Sequence, residues 1–404
     1  MFAALYPIAL GAHLAWGGAW AALETPSALP RGLRPTHDAW AFAGAGGIRG
    51  ITLGPIESVR HPGKGYGTEA SGRAMDEAAL LGAGWVSLTP FGRVADLTPA
   101  GIDPSFEAPF EDNKKAIAAA VAQAKARGLR VMLVPHLWVE SKEWRANIDP
   151  GSDDGWAAWA SAYRAFLLAW AEVARDAGVD MLSVGVELRS WVTTPRVDSF
   201  VAIIEDVRRV YPGLLTYSAN WDDAEQTLLW DAVDLVGINA FYPLAEKDGA
   251  AFPELAAGAE RVAASVESFA REVRKPVVLT EVGYTTRPNT AIRPWEWPED
   301  LPGVAVDEEA QATAYRALLG PFIHSEACAG FFVWRYYADP DDVSQEAAWG
   351  FSPRGKLAEV VLRDAFAAHF AVDGPWLPGE AGGRHRARSP WVYGWEMAPP
   401  LFED

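Results

Sequence analysis

Val184-Gly185-Val186-Glu187-Leu188 and Val277-Val278-Leu279-Thr280-Glu281-Val282-Gly283-Tyr284 are two short apolar runs, and each ends at a glutamate. Short runs rich in β-branched residues read as strands buried on both faces, the habit of parallel sheets. A carboxylate at the end of such a strand is not a surface decoration. In an eightfold α/β barrel the strand ends converge on one mouth, where the active site is built.

The rest of the chain supplies six more strands of the same kind. In order, the eight are Ile48–Leu53, Trp85–Leu88, Val131–Val134, Met181–Val186, Leu214–Ser218, Leu235–Ile238, Pro276–Thr280 and Gly330–Trp334. Helical periodicity falls between them. Ser71–Gly82 begins with Ser71 as a cap, and Glu111–Arg127 is closed by Gly128. Asp153–Ala177 is closed by Gly178. Thr194-Pro195 reads as a cap and first turn for a helix that ends at Tyr211. Asp223–Trp230 leaves room for a short helix only; Leu255–Val273, Asp307–Glu326 and Lys356–Phe370 complete the set. Strict alternation predicts an α/β fold with a parallel sheet. Eight units over about 330 residues predict closure into a (β/α)8 TIM barrel, with strands four and seven facing each other across it. An open doubly wound sheet is the rival, but no G-x-G-x-x-G follows the first strand. We expect a single catalytic barrel over residues 47–371, an N-terminal apolar segment and loop at 1–46, and a Pro/Gly/Trp-rich tail at 372–404.

Of 404 residues, 50% are hydrophobic and 22% charged, and 35 basic against 53 acidic side chains give a formal charge of −18. That balance excludes sequence-independent nucleic-acid binding and suits an uncharged substrate. Cys328 is alone, so the chain holds no internal disulfide and no thiolate metal site. Nineteen tryptophans exceed what a core needs. At strand ends and loops they make flat apolar platforms with one polar handle. Met1–Leu23 is almost wholly apolar, and Ala19-Trp20-Ala21 resembles a cleavage site, but a basic n-region is missing. Export signal or anchor, packed segment and membrane span all stay open. The first puts the protein outside the cell or in the periplasm; a packed segment leaves it cytoplasmic.

Just past the strand ends stand His136, Trp138, Glu187, Asn220, Trp221, Asp222, Asn239, Tyr242, Glu281, Tyr284, Trp334, Arg335 and Tyr336. The set is polar, aromatic and carboxylate-rich, with no phosphate loop and a single histidine. Glycoside hydrolysis needs one carboxylic acid to protonate the leaving oxygen and a second carboxylate to attack or to activate water. Glu187 and Glu281 fit those parts as acid/base and nucleophile, with carboxyls about 5 to 5.5 Å apart if the enzyme retains configuration. Glu57, Glu140 and Asp222 are rivals. Trp334 is expected to floor the reacting sugar, Tyr242 to hydrogen-bond Glu281, and His136, Trp138, Asn220, Trp221, Asn239 and Tyr284 to line the substrate.

Val184–Leu188, Leu215–Trp221, Val236–Leu244 and Val277–Tyr284 together resemble glycoside hydrolase family 113, within the retaining barrels of clan A, from about Gly47 to Phe370. The resemblance implies a β-mannanase that cleaves β-1,4-mannosidic bonds with retention and without a cofactor. It places the acid/base on Glu187 and the nucleophile on Glu281. Most of the clan carries Asn before the acid/base to hold the sugar's 2-hydroxyl; here that position is Val186, and family 113 is similar in lacking it. We therefore expect an endo-acting enzyme, monomeric, with an oligo- or polysaccharide substrate. Another β-glycan such as a β-glucan, a non-catalytic carbohydrate-binding barrel and a barrel hydrolase of another bond are the alternatives.

Overall fold

The computed structural model describes residues 47–56, 60–105, 107–296, 303–325, 327–341 and 346–370. The expected apolar leader, the tail and Glu57 lie outside the described residues. The elements run β1 (Ile48–Gly54), α1 (Glu69–Leu81), β2 (Trp85–Leu88), β3 (Phe91–Val94), α2 (Phe110–Ala126), β4 (Arg130–Leu133) and β5 (His136–Val139). There follow α3 (Asp153–Ala177), β6 (Met181–Val186), α4 (Arg189–Val192), α5 (Val197–Val210), β7 (Leu214–Asn220), β8 (Leu235–Asn239) and α6 (Phe252–Val273). Last come β9 (Val277–Val282), α7 (Glu308–Ile323), β10 (Cys328–Tyr337) and α8 (Leu357–Phe370). Strands β1, β2, β4, β6, β7, β8, β9 and β10 pair in that order, and β10 closes on β1 in parallel. This is the expected (β/α)8 barrel.

Every barrel strand sends an apolar side chain into the lumen: Ile48, Trp85, Met132, Met181, Leu214, Leu235, Val278 and Phe332 among them. Trp85 and Phe332 meet edge to face, 6.2 Å between centroids. The lumen is thus a packed floor rather than a pore. A second core fills the space between strands and helices. In α3 the buried stripe Trp156, Trp159, Tyr163, Phe166, Leu167 and Trp170 follows helical spacing. Ser152 caps its start and Gly178, at φ 74°, its end. Those rings pack on Trp191 and Phe200, and Phe200 on Tyr217.

Strands β6, β9 and β10 break the strict period of two, and the first two carry the candidate glutamates. In β6, Ser183 pairs with Thr216 but Val186 with Ser218, so one extra residue is inserted. In β9, Leu279 pairs with Ile238 and Glu281 with Asn239, while on the other edge Leu279 and Val282 span Phe331 and Val333. Thr280 is the extra residue of that bulge. A bulge lets consecutive side chains face the same way and reverses the alternation beyond it.

Several local expectations are corrected. Thr68, not Ser71, caps α1, its hydroxyl accepting from the Ser71 N–H; Ser71 is buried inside the first turn. Thr194 does not open α5: its hydroxyl donates back to the Ser190 carbonyl, closing the short α4, and α5 starts at Val197. Asp223–Trp230 forms 3₁₀ turns at Ala224–Gln226 and Trp230–Ala232 rather than a helix. Phe91–Val94 and His136–Val139 form an unexpected two-stranded parallel sheet above β2 and β4. Pro90 and Pro135, which lack an N–H, separate it from the barrel ladder. Cys328 is buried, as expected of an inert thiol, and burial pushes it up to about 12. Among the described residues no helix is long and apolar enough to cross a membrane.

Barrel closure depends on one glycine. Gly330 has φ 141°, and a Cβ there would stand 2.0 Å from the Ile48 carbonyl oxygen. Gly330→Ala is expected to cost about 3 kcal/mol or more through backbone strain and parting of β1 from β10. An unchanged denaturation midpoint would show that the seam tolerates a side chain.

Candidate active site

Glu187 follows the bulge in β6 with a left-handed backbone, φ 52°, a region that side chains other than glycine seldom enter. Neighbours hold the peptide there. The Glu187 N–H donates to the Ser218 carbonyl at 2.8 Å and the Leu188 N–H to the Tyr217 hydroxyl at 2.7 Å. The aromatic core behind α3 therefore fixes the backbone of the carboxylate. Its side chain is 7% exposed and accepts three hydrogen bonds. Asn239 Nδ2 donates to Oε1 at 2.9 Å; Trp144 Nε1 and Arg145 Nη1 donate to Oε2 at 2.9 and 2.5 Å.

Glu281 is equally buried, and the bulge in β9 turns it inward. Burial, then the Glu187 charge, push its carboxyl well above the usual range. Arg145, Arg335 and a hydrogen bond from the Asn239 side chain pull it back down. His136 Nε2 stands 3.9 Å from Glu281 Oε1. His136 Nδ1 lies 3.1 Å from the Leu137 N and 3.3 Å from the Leu137 carbonyl oxygen, so the backbone anchors this edge of the ring and Nε2 faces Glu281. Burial, then the Arg145 charge, hold this imidazole well below its ordinary pKa, so it is neutral at pH 7. Its ring lies 4.5 Å from Phe91 and 6.4 Å from Trp334. Trp334, 8% exposed, packs with Phe241 and Phe351 beside the pair.

The structure thus gathers Glu187, Glu281, His136, Asn239 and Trp334. Trp138 shares the His136 face of β5 two residues further out and is 43% exposed. Asn220 turns aside, donating to Asp222 Oδ1 at 2.6 Å. Trp221 is half-buried, stacked on Trp295 at 5.5 Å and near Tyr242 at 5.6 Å. Trp295, 45% exposed, carries that aromatic wall to the rim. Two expectations fail. Tyr242 packs with this wall, and among the described residues no hydrogen bond joins it to Glu281. Tyr284 does not line the mouth: the bulge reverses the alternation, so Val282 and Tyr284 both face the helices, with Tyr284 against Tyr315. Of the rival acids, Glu140 pairs with Arg93 at the surface and Asp222 with Arg189.

The family model for glycoside hydrolase family 113 matches residues 59–355. The chain belongs to glycoside hydrolase family 113. It is accordingly a glycoside hydrolase. No curated protein matches it. Among solved structures it is similar to the family 113 β-mannanase AaManA from Alicyclobacillus acidocaldarius in complex with ManMIm. Identity is 26%, coverage 82% of this chain and 99% of that one, and the TM-score 0.69. A second family 113 β-1,4-mannanase is 22% identical over 80% of this chain and 99% of that one, TM-score 0.68. A family 5 mannosidase from Rhizomucor miehei shares the fold at 13% identity, 80% and 92% coverage and a TM-score of 0.56.

Sequence reading of this family 113 chain missed Trp144, Arg145 and Thr280. The first two sit in a loop without periodicity, where only the residue types were available as a signal. Arg189 was missed as well: its guanidinium lies 4.6 Å from the Trp144 ring and is tied to Asp222 and Asp223. Burial pushes Asp223 up to about 6, against the pull of Arg189.

Arg145 favours the ionised form of Glu281, so its removal raises that pKa further. Arg145→Met is expected to move the acidic limb of kcat/KM to higher pH by about one unit. A pH–rate profile with the limb unmoved would show that the guanidinium does not govern the pair.

Proposed function

We propose that the protein is a retaining endo-β-1,4-mannanase acting on an oligo- or polysaccharide. One observation carries the reading. Two buried glutamates on facing strands of a family 113 barrel flank Asn239, whose amide donates to Glu187 and which pairs in register with Glu281 on the next strand. Flanking one residue keeps the carboxyls inside the roughly 10 Å beyond which glycosidase pairs do not work. AaManA and the second β-1,4-mannanase support mannan as the substrate. A β-glucan is the alternative substrate.

In this reading Glu281 attacks the anomeric carbon while Glu187 gives its proton to the glycosidic oxygen, and the leaving sugar departs with that proton. Glu187 then takes a proton from water, whose oxygen displaces Glu281 and restores the starting configuration. The Asn239 amide offers an N–H group and neutral His136 a ring nitrogen to the hydroxyls of the reacting sugar, and Trp334 a flat apolar face.

Strand position and family likeness support this division of roles, whereas the local electrostatics favour the opposite one. Burial and the Glu187 charge raise Glu281, while Arg145, Trp144 and Asn239 all donate to Glu187. A buried carboxylate pair holds its first proton jointly, so this does not fix which residue transfers it in the reaction.

Azide with an activated aryl β-mannoside separates the two assignments. Glu187→Ala should yield the β-mannosyl azide, by attack on the glycosyl-enzyme; Glu281→Ala should yield the α-azide, by direct attack from the opened face. Exchanged anomers would exchange the roles. Glu281→Gln should lose about 10⁴-fold or more in kcat. Against β-mannan, glucomannan, β-glucan and xylan, wild-type protein should release manno-oligosaccharides of mixed length, first as β-anomers. Release from β-glucan alone would overturn the substrate.

A further inference from the structure

Asn239 is 1% exposed and lies between the two carboxylates, yet an amide can sit in such a place in either of two orientations of nearly equal shape. With its N–H edge toward Glu187 and Glu281 it stabilises negative charge; with its carbonyl edge there it repels it. Carboxylates only accept, so they favour the first orientation, and the bond at the far end of the amide holds it there. Asn239 Oδ1 has no proton to give, so the 2.9 Å contact with Thr280 Oγ1 is a bond in which the hydroxyl donates. Thr280 is itself 2% exposed, and the pair lies beneath the mouth. Without that hydroxyl Oδ1 would be buried and unsatisfied, and the amide would lose the bond that holds its far end in place.

We infer that Thr280 is a positioning residue, whose hydroxyl pins the Asn239 amide with its N–H edge toward the catalytic pair. Thr280 and Glu281 are consecutive, and in a regular strand they would face opposite ways. The bulge in β9 brings both inward, so one irregularity delivers the carboxylate and the group that orients its neighbour. The hydroxyl also polarises the amide along the chain Thr280 to Asn239 to Glu187, strengthening the N–H as a donor. The other ionisable groups around the pair are Arg145 beyond β5, His136 on β5, Arg335 on β10, and Asp223 and the Tyr217 hydroxyl behind Glu187. None of them replaces the lost donor: the amide carbonyl needs a proton from below, on the side of Thr280.

The inference rests on Glu187 and Glu281 being the working pair, so its test includes a readout that needs no substrate. Carboxyl-carbon NMR of glutamate-labelled protein, with Glu281 assigned through Glu281→Gln, follows its titration directly. Thr280→Val, which keeps the shape and removes the hydroxyl, should raise the Glu281 titration by about one pH unit. It should move the acidic limb of kcat/KM on an aryl β-mannoside by the same amount and lower kcat about tenfold, with KM little changed. Thr280→Ser should restore all three. A folded Thr280→Val protein whose Glu281 titrates as in wild type overturns the inference, even if its kcat falls, because packing alone would then explain the loss. Should Thr280→Val not fold, Thr280→Ala is read in its place. If no mannoside is cleaved by wild type, the function proposed above fails, while the titration still decides the part played by Thr280.

Discussion

Two carboxylates of like charge share one pocket from which most water is excluded. Glu281 resists ionisation there, and the Glu187 charge adds to that resistance. Almost every polar group nearby answers that constraint. Arg145 and Arg335 bring positive charge, and the Asn239 amide donates to Glu187 and favours the ionised form of Glu281. His136 stays neutral, so it adds a polar ring nitrogen without a competing charge. Trp144 adds an indole N–H and is itself covered by Arg189, which Asp222 and Asp223 hold. The glutamates are the visible centre of a network whose other members come from at least five strands and loops.

The barrel makes that network rigid. Its lumen is packed to the level of Val186 and Val278, so the pocket has an apolar floor. Around it, the aromatic cluster of α3, α5 and β7 reaches the site through the Tyr217 hydroxyl, which holds the peptide after Glu187. Packing energy spent between helix and strand is thereby converted into a fixed direction for one side chain. On the opposite strand the bulge at Thr280 does the same work by geometry rather than by packing. Regular strands would put at most every second residue into the mouth; two irregular ones put extra polar groups where they are needed.

Much of this was legible in the sequence. Alternating apolar runs and capped helices gave the barrel, because periodicity reflects which face is buried. Glutamates at the ends of two such runs pointed to the pair, and strand counting placed them opposite each other. Reading failed where periodicity failed. Tyr284 was placed in the mouth because nothing in Thr280-Glu281-Val282-Gly283-Tyr284 announces an inserted residue. Trp144 and Arg145 were passed over because a loop has no period to read. The cap of α1 was misplaced by three residues because Thr68 and Ser71 are both competent caps, and only tertiary packing, which buries Ser71, chooses between them.

The left-handed backbone at Glu187 sets this position apart from the rest of its strand. For a residue with a Cβ that conformation costs on the order of 1 kcal/mol, and glycine would relieve it. The acid is also buried, which adds desolvation to the strain. Folding and chemistry therefore make opposite demands on this one residue. A lineage released from the need to cleave its substrate would have a downhill path at position 187 toward glycine or asparagine. It would become a more stable barrel as it became an inert one, so thermal robustness is a poor guide to which members of such a family still work.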